Sequence, residues 1–208
     1  MASSKFSLAE RVRKELQAVM DTESKVTQQQ AILTVGSARD KLVYNRLIGD
    51  YQANKSINYA MYLSEFGYDT PLNPTWDADR NLYSLQLPAL PIELPRNSGI
   101  QDVHIKGQTE YSFVQVEPFS GNMYRGMAAS KLPRPTFFQK GGTLYFPPTA
   151  VSEKSEIIIS EVAQSSGIGD RDTLPIDPSM ELDIIALAKE MLLMPDKPED
   201  NITDGVGN

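Results

Sequence analysis

Apolar residues along this chain change their spacing twice. Near the N-terminus Leu8, Val12, Leu16 and Val19 recur every three or four residues, with Arg11, Arg13, Lys14 and Glu15 between them. That pattern predicts an amphipathic helix over Ser7 to Met20, capped by Ser7. Its apolar stripe is narrow and needs a partner. The polar run Asp21 to Gln30 separates it from a second expected helix, Ser37 to Gln52, in which Leu42, Val43, Leu47, Ile48 and Tyr51 form the buried face behind Gly36 and a Ser37 cap. A third helical segment is expected over Ile57 to Phe66, where Tyr59, Tyr62, Leu63 and Phe66 share a face and Gly67 ends the run. Asp69 to Arg80 reads as a loop rich in Pro, Asn and Asp, with Trp76 as the side chain that docks it onto the core.

Beyond Arg80 the period drops to two. Strands are expected at Leu82 to Leu87, Ile100 to Ile105, Tyr111 to Val116, Pro135 to Phe138, Thr143 to Phe146 and Glu156 to Ala163. Turns fall at Asn97-Ser98-Gly99, Lys106-Gly107-Gln108, Ser120-Gly121-Asn122 and Lys140-Gly141-Gly142, the last making the clearest hairpin, Phe137 to Phe146. Short strands of this kind form a small antiparallel sheet, a sandwich or a partly open barrel.

Gly167 to Asp177 reads as a linker, and the period then returns to that of a helix. Asp177 before Pro178 is the order of a cap and a first helical residue, Glu181 and Asp183 suit the positive helix end, and Ile184, Ile185, Ala188, Met191 and Leu192 line one side of a helix running to Met194. Leu182, Leu187 and Leu193 widen that side, which implies burial on two fronts, by its own domain or by a neighbouring subunit. The fold class is therefore α+β: a small antiparallel β domain flanked by N-terminal helices and a C-terminal helix. The expected organisation is an N-terminal helical arm over 1–35, one α+β domain over 36–194 with its β-rich centre at 82–163, and a flexible acidic tail over 195–208.

Charge adds an asymmetry to this outline. Lys plus Arg against Asp plus Glu number 8 against 6 over residues 1–50, 8 against 8 over 51–150, and 4 against 13 over 151–208. The net charge of -7 thus belongs to the C-terminal quarter. An acidic balance disfavours broad nucleic-acid binding, which needs clustered Lys and Arg. The chain of 208 residues carries no cysteine and one histidine, which removes disulfides and thiolate ligands and makes a zinc or redox role a poor expectation. Neither a signal-peptide core nor a run of eighteen apolar residues occurs, so a soluble protein with no membrane partner is expected.

Candidate chemistry is sparse. His104 shares a strand face with Asp102, while Val103 and Ile105 point the other way, so a surface pair is expected rather than a general base, which would need a nucleophile and a pocket beside it. Asp77 and Asp79, with Asp69 further off, lack the Gly and closing Glu of a calcium loop and suit a turn. Gly99, Gly107, Gly121, Gly126, Gly141 and Gly142 assemble no phosphate-binding signature. Tyr111, Phe113, Phe119 and Tyr124 suggest a stacking platform, but the charges around them are balanced, so sheet core and protein interface are expected instead. Arg125, Lys131, Arg134 and Lys140 form at most a local contact patch. No catalytic, cofactor or metal site is expected, and the chain reads as a non-enzyme.

Four stretches carry a resemblance. Ala38-Arg39-Asp40-Lys41-Leu42 sits in an early helix. Tyr83-Ser84-Leu85-Gln86-Leu87-Pro88 is followed by Glu93-Leu94-Pro95-Arg96-Asn97-Ser98-Gly99-Ile100, which leads into a strand, and Leu174-Pro175-Ile176-Asp177-Pro178 opens the last helix. In this order they resemble small virion structural proteins of tailed bacteriophages, especially those of crAss-like phages that infect Bacteroidetes. The resemblance implies a head-to-tail connector: a homo-oligomeric ring, a dodecamer if it follows the portal's symmetry, in the neck or tail of the virion. The portal protein and other neck or tail proteins would be its partners, and DNA would pass through the ring without sequence-specific contact. The expected subunit interface sets Leu8, Val12 and Leu16, with Arg11, Arg13 and Lys14, of one copy against Ile184, Ile185 and Met191 of the next. The alternative is a β module that grips a peptide or glycan through Tyr111, Phe113, Phe137 and Tyr145.

Overall fold

The computed structural model describes residues 3–20, 26–53, 55–95, 99–108, 110–116 and 135–193. In chain order the elements are α1 (Lys5–Met20), α2 (Gln28–Gln52), β1 (Ser64–Phe66), β2 (Thr75–Asp77), β3 (Leu82–Gln86), β4 (Ile100–Ile105), β5 (Val114–Gln115), β6 (Thr136–Lys140), β7 (Thr143–Phe146), β8 (Ile157–Glu161) and α3 (Glu181–Leu193). Helices at both ends enclose a β-rich centre, the α+β class read from the sequence.

α2 starts much earlier than its expected Ser37 cap. Thr27 accepts from the backbone N–H of Gln30, whose side chain accepts in return from the Thr27 N–H, a capping box at the end of the polar run. Gly36 does not interrupt this helix. A Cβ there would lie 2.6 Å from Ser165 Oγ, so the glycine lets α2 press against the short 3-10 turn Ser165–Gly167. The helix consequently runs through the boundary drawn at residue 35. α1 begins at Lys5 rather than Ser7, with Ser4 Oγ accepting from the Ser7 N–H (3.2 Å).

The segment expected as a third helix is a turn at Tyr62, whose N–H bonds Tyr59 O (2.8 Å), followed by β1. Gly67 ends that strand with φ +100°, and a Cβ would sit 2.2 Å from Ile157 O, so this is a close crossing onto β8 rather than a helix stop. The expected loop Asp69 to Arg80 contains β2, paired antiparallel to β3. Trp76 does not dock it into the core: the indole is 40% exposed and stands edge-on to Tyr83 at 5.1 Å.

The strands form two sheets, ordered β1-β8-β4 and β2-β3-β7-β6-β5. All pairings are antiparallel except β5 with β6, which is parallel and departs from the all-antiparallel expectation. The two sheets face each other over one apolar core: Val103, Ile157 and Ile159 from the first, with Leu85, Phe137, Leu144 and Phe146 from the second. The bonds from the Phe113 N–H to Val103 O (2.7 Å) and from the Ile157 N–H to Leu72 O (2.8 Å) also tie the two sheets along both sides, so of the shapes left open by the sequence this is a sandwich partly closed toward a barrel. A bulge at Gln101 shifts the β4 register, so that Ile100 joins Val103 on the core side despite its even number. A separate helical core gathers Leu8, Val12, Leu16, Val35, Val43, Leu47, Ile184 and Ala188, and Val162 at the end of β8 reaches into it. The expected turns at Asn97-Ser98 and Ser120-Gly121-Asn122, together with Phe119, Tyr124, Arg125, Lys131, Arg134 and the tail 195–208, lie outside the described residues.

Candidate functional site

The interface expected between copies is assembled inside one chain. Leu8, Val12 and Leu16 are fully buried against α2 and α3, and Ile184 and Ile185 face them in the same core. Charges follow the same pairing: Arg11 Nη1 lies 3.2 Å from Glu181 Oε2, and Lys189 Nζ lies 2.6 Å from Glu15 Oε2. Arg13 donates to Gln28 Oε1 (2.7 Å), while Lys14 and Met191 remain exposed. In the single chain α1 thus folds back on its own domain, where the expectation set it against a neighbour, and the physical reason is visible at its start. Ser4 bridges Thr173, the Leu174 N–H bonds Ser3 O (2.9 Å), and the Phe6 N–H bonds Asp170 O (2.9 Å). Ser3 Oγ also donates to Glu181. Lys5, almost wholly buried, donates to Ser165 O (2.9 Å) and Ile168 O (2.5 Å) and pairs with Asp170 (3.0 Å). These bonds strap the beginning of α1 to the chain just before α3.

Arg39 fastens the helical layer to the sandwich. Its guanidinium is fully buried and donates through Nη1 to Ala163 O (2.6 Å) and Asp40 Oδ1 (2.9 Å), and through Nη2 to Pro175 O (2.9 Å). Asp40 accepts in turn from the Ser165 N–H and hydroxyl. Burial lowers the Arg39 pKa, and the hydrogen bond and charge of Asp40 oppose that shift. The sequence offered a signal for this role: Arg39 stands four residues after Val35 and four before Val43, on the buried line of α2.

The outward faces of the helices are less complete. On α2, Leu33 (62% exposed), Tyr44 (41%) and Tyr51 lie in line, about three turns and then about two turns apart. On α3, Leu182 (69% exposed), Ala186 and Leu193 (50%) form a second apolar stripe beside the buried one. The α2 stripe leads into a cleft of about 610 Å³, where Tyr44 and Leu90 meet the backbone of Pro91 to Pro95 and the Gly141-Gly142 hairpin tip. The cleft, which the sequence did not reveal, is lined by polar and apolar groups together.

Other candidates resolve into structure. His104 Nδ1 lies 2.7 Å from Asp102 Oδ2, the expected pair, but the imidazole is buried rather than on the surface, and it does not line the cleft. Asp77 accepts from the Arg80 backbone (3.1 Å) and guanidinium (2.7 Å), bonds that hold its carboxyl below the usual range, as befits a turn. Phe113, Phe137 and Tyr145 are buried, so of the aromatics proposed as a binding rim only Tyr111 is exposed. Phe113 likewise packs in the sandwich core, not on a stacking platform. Among the described residues no group of His, Cys, Asp and Glu could hold a metal ion, and no helix is long and apolar enough to cross a membrane. A scan against protein-family models finds no match to this chain, and a search of curated proteins finds none either.

Proposed function

We propose that the protein is a structural subunit of an oligomeric ring, a head-to-tail connector of a tailed bacteriophage, with portal and tail proteins as neighbours. The observation that carries this reading is the second apolar stripe of α3. Leu182 and Leu193 expose leucine surface that the chain's own core, already built on Ile184, Ile185 and Ala188, leaves unused. Burying one such side chain is worth about 1.5 to 3 kcal/mol, so two leucines and a partner stripe amount to a usable contact. The exposed line of α2 supplies a different surface on the same subunit, and two unlike surfaces are what a closed ring needs, since heterologous contacts close by rotation. The resemblance of the Ala38 to Leu42, Tyr83 to Pro88, Glu93 to Ile100 and Leu174 to Pro178 stretches points to the virion neck as the place.

The test is electron microscopy and sedimentation of the purified chain, together with detection of the chain in purified particles. Rings of uniform copy number, or the protein in the necks of virions, are expected. A chain that is monomeric in solution and missing from particles overturns the reading.

A further inference from the structure

We infer that the α3 stripe of one copy docks on the α2 stripe of a second copy, a head-to-tail helix contact that deepens and rests on the ring reading. Three features of the two surfaces match. The first is spacing: Leu182 and Leu193 are separated by the same number of residues as Leu33 and Tyr44, about 16 Å along each helix, so both ends of one stripe can meet both ends of the other. The second is shape. Small residues, Ser37 and Ala186, each stand exposed one turn after the first residue of their stripe, which lets the two helix backbones approach closely at that level.

Charge is the third. Lys41 flanks the α2 stripe, exposed, while Asp183 and Glu190 flank the α3 stripe, also exposed. Asp40 and Lys189, which lie within the two stripes, are already paired with Arg39 and with Glu15, so the flanking charges carry the complementarity. Each helix would therefore repel a second copy of itself at the flanking positions and attract the other. That disfavours two-fold pairing of like faces and favours the heterologous contact. The cleft beside Tyr44 extends the receiving surface, with Leu90 as a further apolar contact.

The chain has no cysteine, so single engineered thiols report this contact cleanly. Ser37→Cys and Ala186→Cys are both exposed positions, and Ser152→Cys is an exposed control on the sandwich. Full-length single variants are checked by circular dichroism, then mixed pairwise and oxidised. Ser37→Cys with Ala186→Cys should give a disulfide-linked dimer that neither variant gives alone, and the doubly substituted chain should give a ladder of bands ending at the closed ring. Mixing Ala186→Cys with Ser152→Cys should not. Efficient self-linking of either single variant overturns the inference in favour of a two-fold contact. Linkage no better than the control overturns it as well, whatever the oligomeric state. Rings or virion-bound protein seen beside such a failure would leave the ring reading standing with another surface closing it, whereas linkage in solution by a chain missing from particles would keep the contact and remove the neck assignment.

Discussion

Glu161 offers a test of the fold that depends on a single proton. It is fully buried in β8, and neither carboxyl oxygen has a hydrogen-bond partner. Alternation along the strand puts it on the side of Ile157 and Ile159, which line the sandwich core. Burial pushes its carboxyl up from 4.5 to about 8, so the folded chain keeps it protonated at neutral pH, whereas the unfolded chain ionises it. Between those two values folding takes up a proton. The stability that the neutral carboxyl allows is therefore fully present below the unfolded value, falls by about 1.4 kcal/mol per pH unit as pH rises toward the folded value, and levels off above it. At pH 7 the loss has reached about 3 kcal/mol, a large share of the roughly 5 to 15 kcal/mol typical of a domain.

Glu161→Gln removes the titration while keeping the size and leaving a polar group unpartnered, and Glu161→Met removes both liabilities. Urea unfolding of the three proteins at intervals from pH 5 to pH 8.5 should show the wild type weakening steadily and the glutamine variant nearly flat in this component. At pH 7 the variant should be more stable by about 3 kcal/mol, and the methionine variant by a further 1 kcal/mol or so from the lost unsatisfied oxygens. The depressed carboxyls of Asp77 and Asp177 do not blur the window, because their contribution is present above the normal aspartate range and is lost only as pH falls below it. Parallel pH profiles for wild type and Glu161→Gln would refute the reasoning and place an ionised, compensated carboxylate in the core.

Further outcomes follow from the same contacts. Leu16→Ala should lower stability by about 2 to 5 kcal/mol in thermal or urea unfolding, whereas Arg11→Ala, which breaks a half-exposed ion pair, should cost less than about 1 kcal/mol. Deleting residues 1–20 should abolish the helical core, read as lost cooperativity and lost helical signal in circular dichroism rather than as a folded chain that merely fails to assemble. Arg39→Ala should cost about 3 to 5 kcal/mol, since Asp40, Ala163 O and Pro175 O lose a buried partner together, and its unfolding should show the helical layer separating from the sandwich. Gly67→Ala should slow or prevent folding at ordinary temperature, measured by melting, because a methyl group cannot share space with Ile157 O.

Much of the β centre was legible because period-two alternation and turn glycines are local signals. β4, β7 and the β6–β7 hairpin appear within a residue or so of their expected bounds. The misses have physical causes of a different kind. Ile57 to Phe66 has a helical spacing of aromatics, yet only Tyr62 of these enters the core deeply, and pairing with β8 claims Ser64 to Phe66 as strand. β2 hides in a Pro- and Asp-rich stretch because it is an edge strand held by β3 alone. Gly36 reads as a break in sequence and acts as a contact in the fold, a difference fixed by Ser165, which lies far along the chain. Glu161 sits inside an expected strand with nothing local to say that its carboxyl would be sealed in. The pairing of α1 with α3 was readable from stripe and charge, but whether it joins two subunits or one chain depends on the strap at Ser3 to Phe6, a set of backbone bonds to residues 170–174 that no periodicity announces.

That strap changes what the charge asymmetry can do. Part of the attraction between the basic N-terminal region and the acidic C-terminal quarter is already satisfied within one subunit, through Lys5 with Asp170, Arg11 with Glu181 and Glu15 with Lys189. At physiological ionic strength screening acts over about 8 Å, shorter than either helix, so opposite charge at the two chain ends cannot reach across a ring as a general field. What remains for recognition is short-range and carried by residues beside the exposed stripes: Lys41 on α2, Asp183 and Glu190 on α3. Those charges would set the register and reject like faces, while the contact energy would come from Leu182 and Leu193 on one side and Leu33 and Tyr44 on the other. In the proposed contact α1 would hold α3 in place with its second stripe turned outward, so that the N-terminal helix would shape the docking surface without belonging to it.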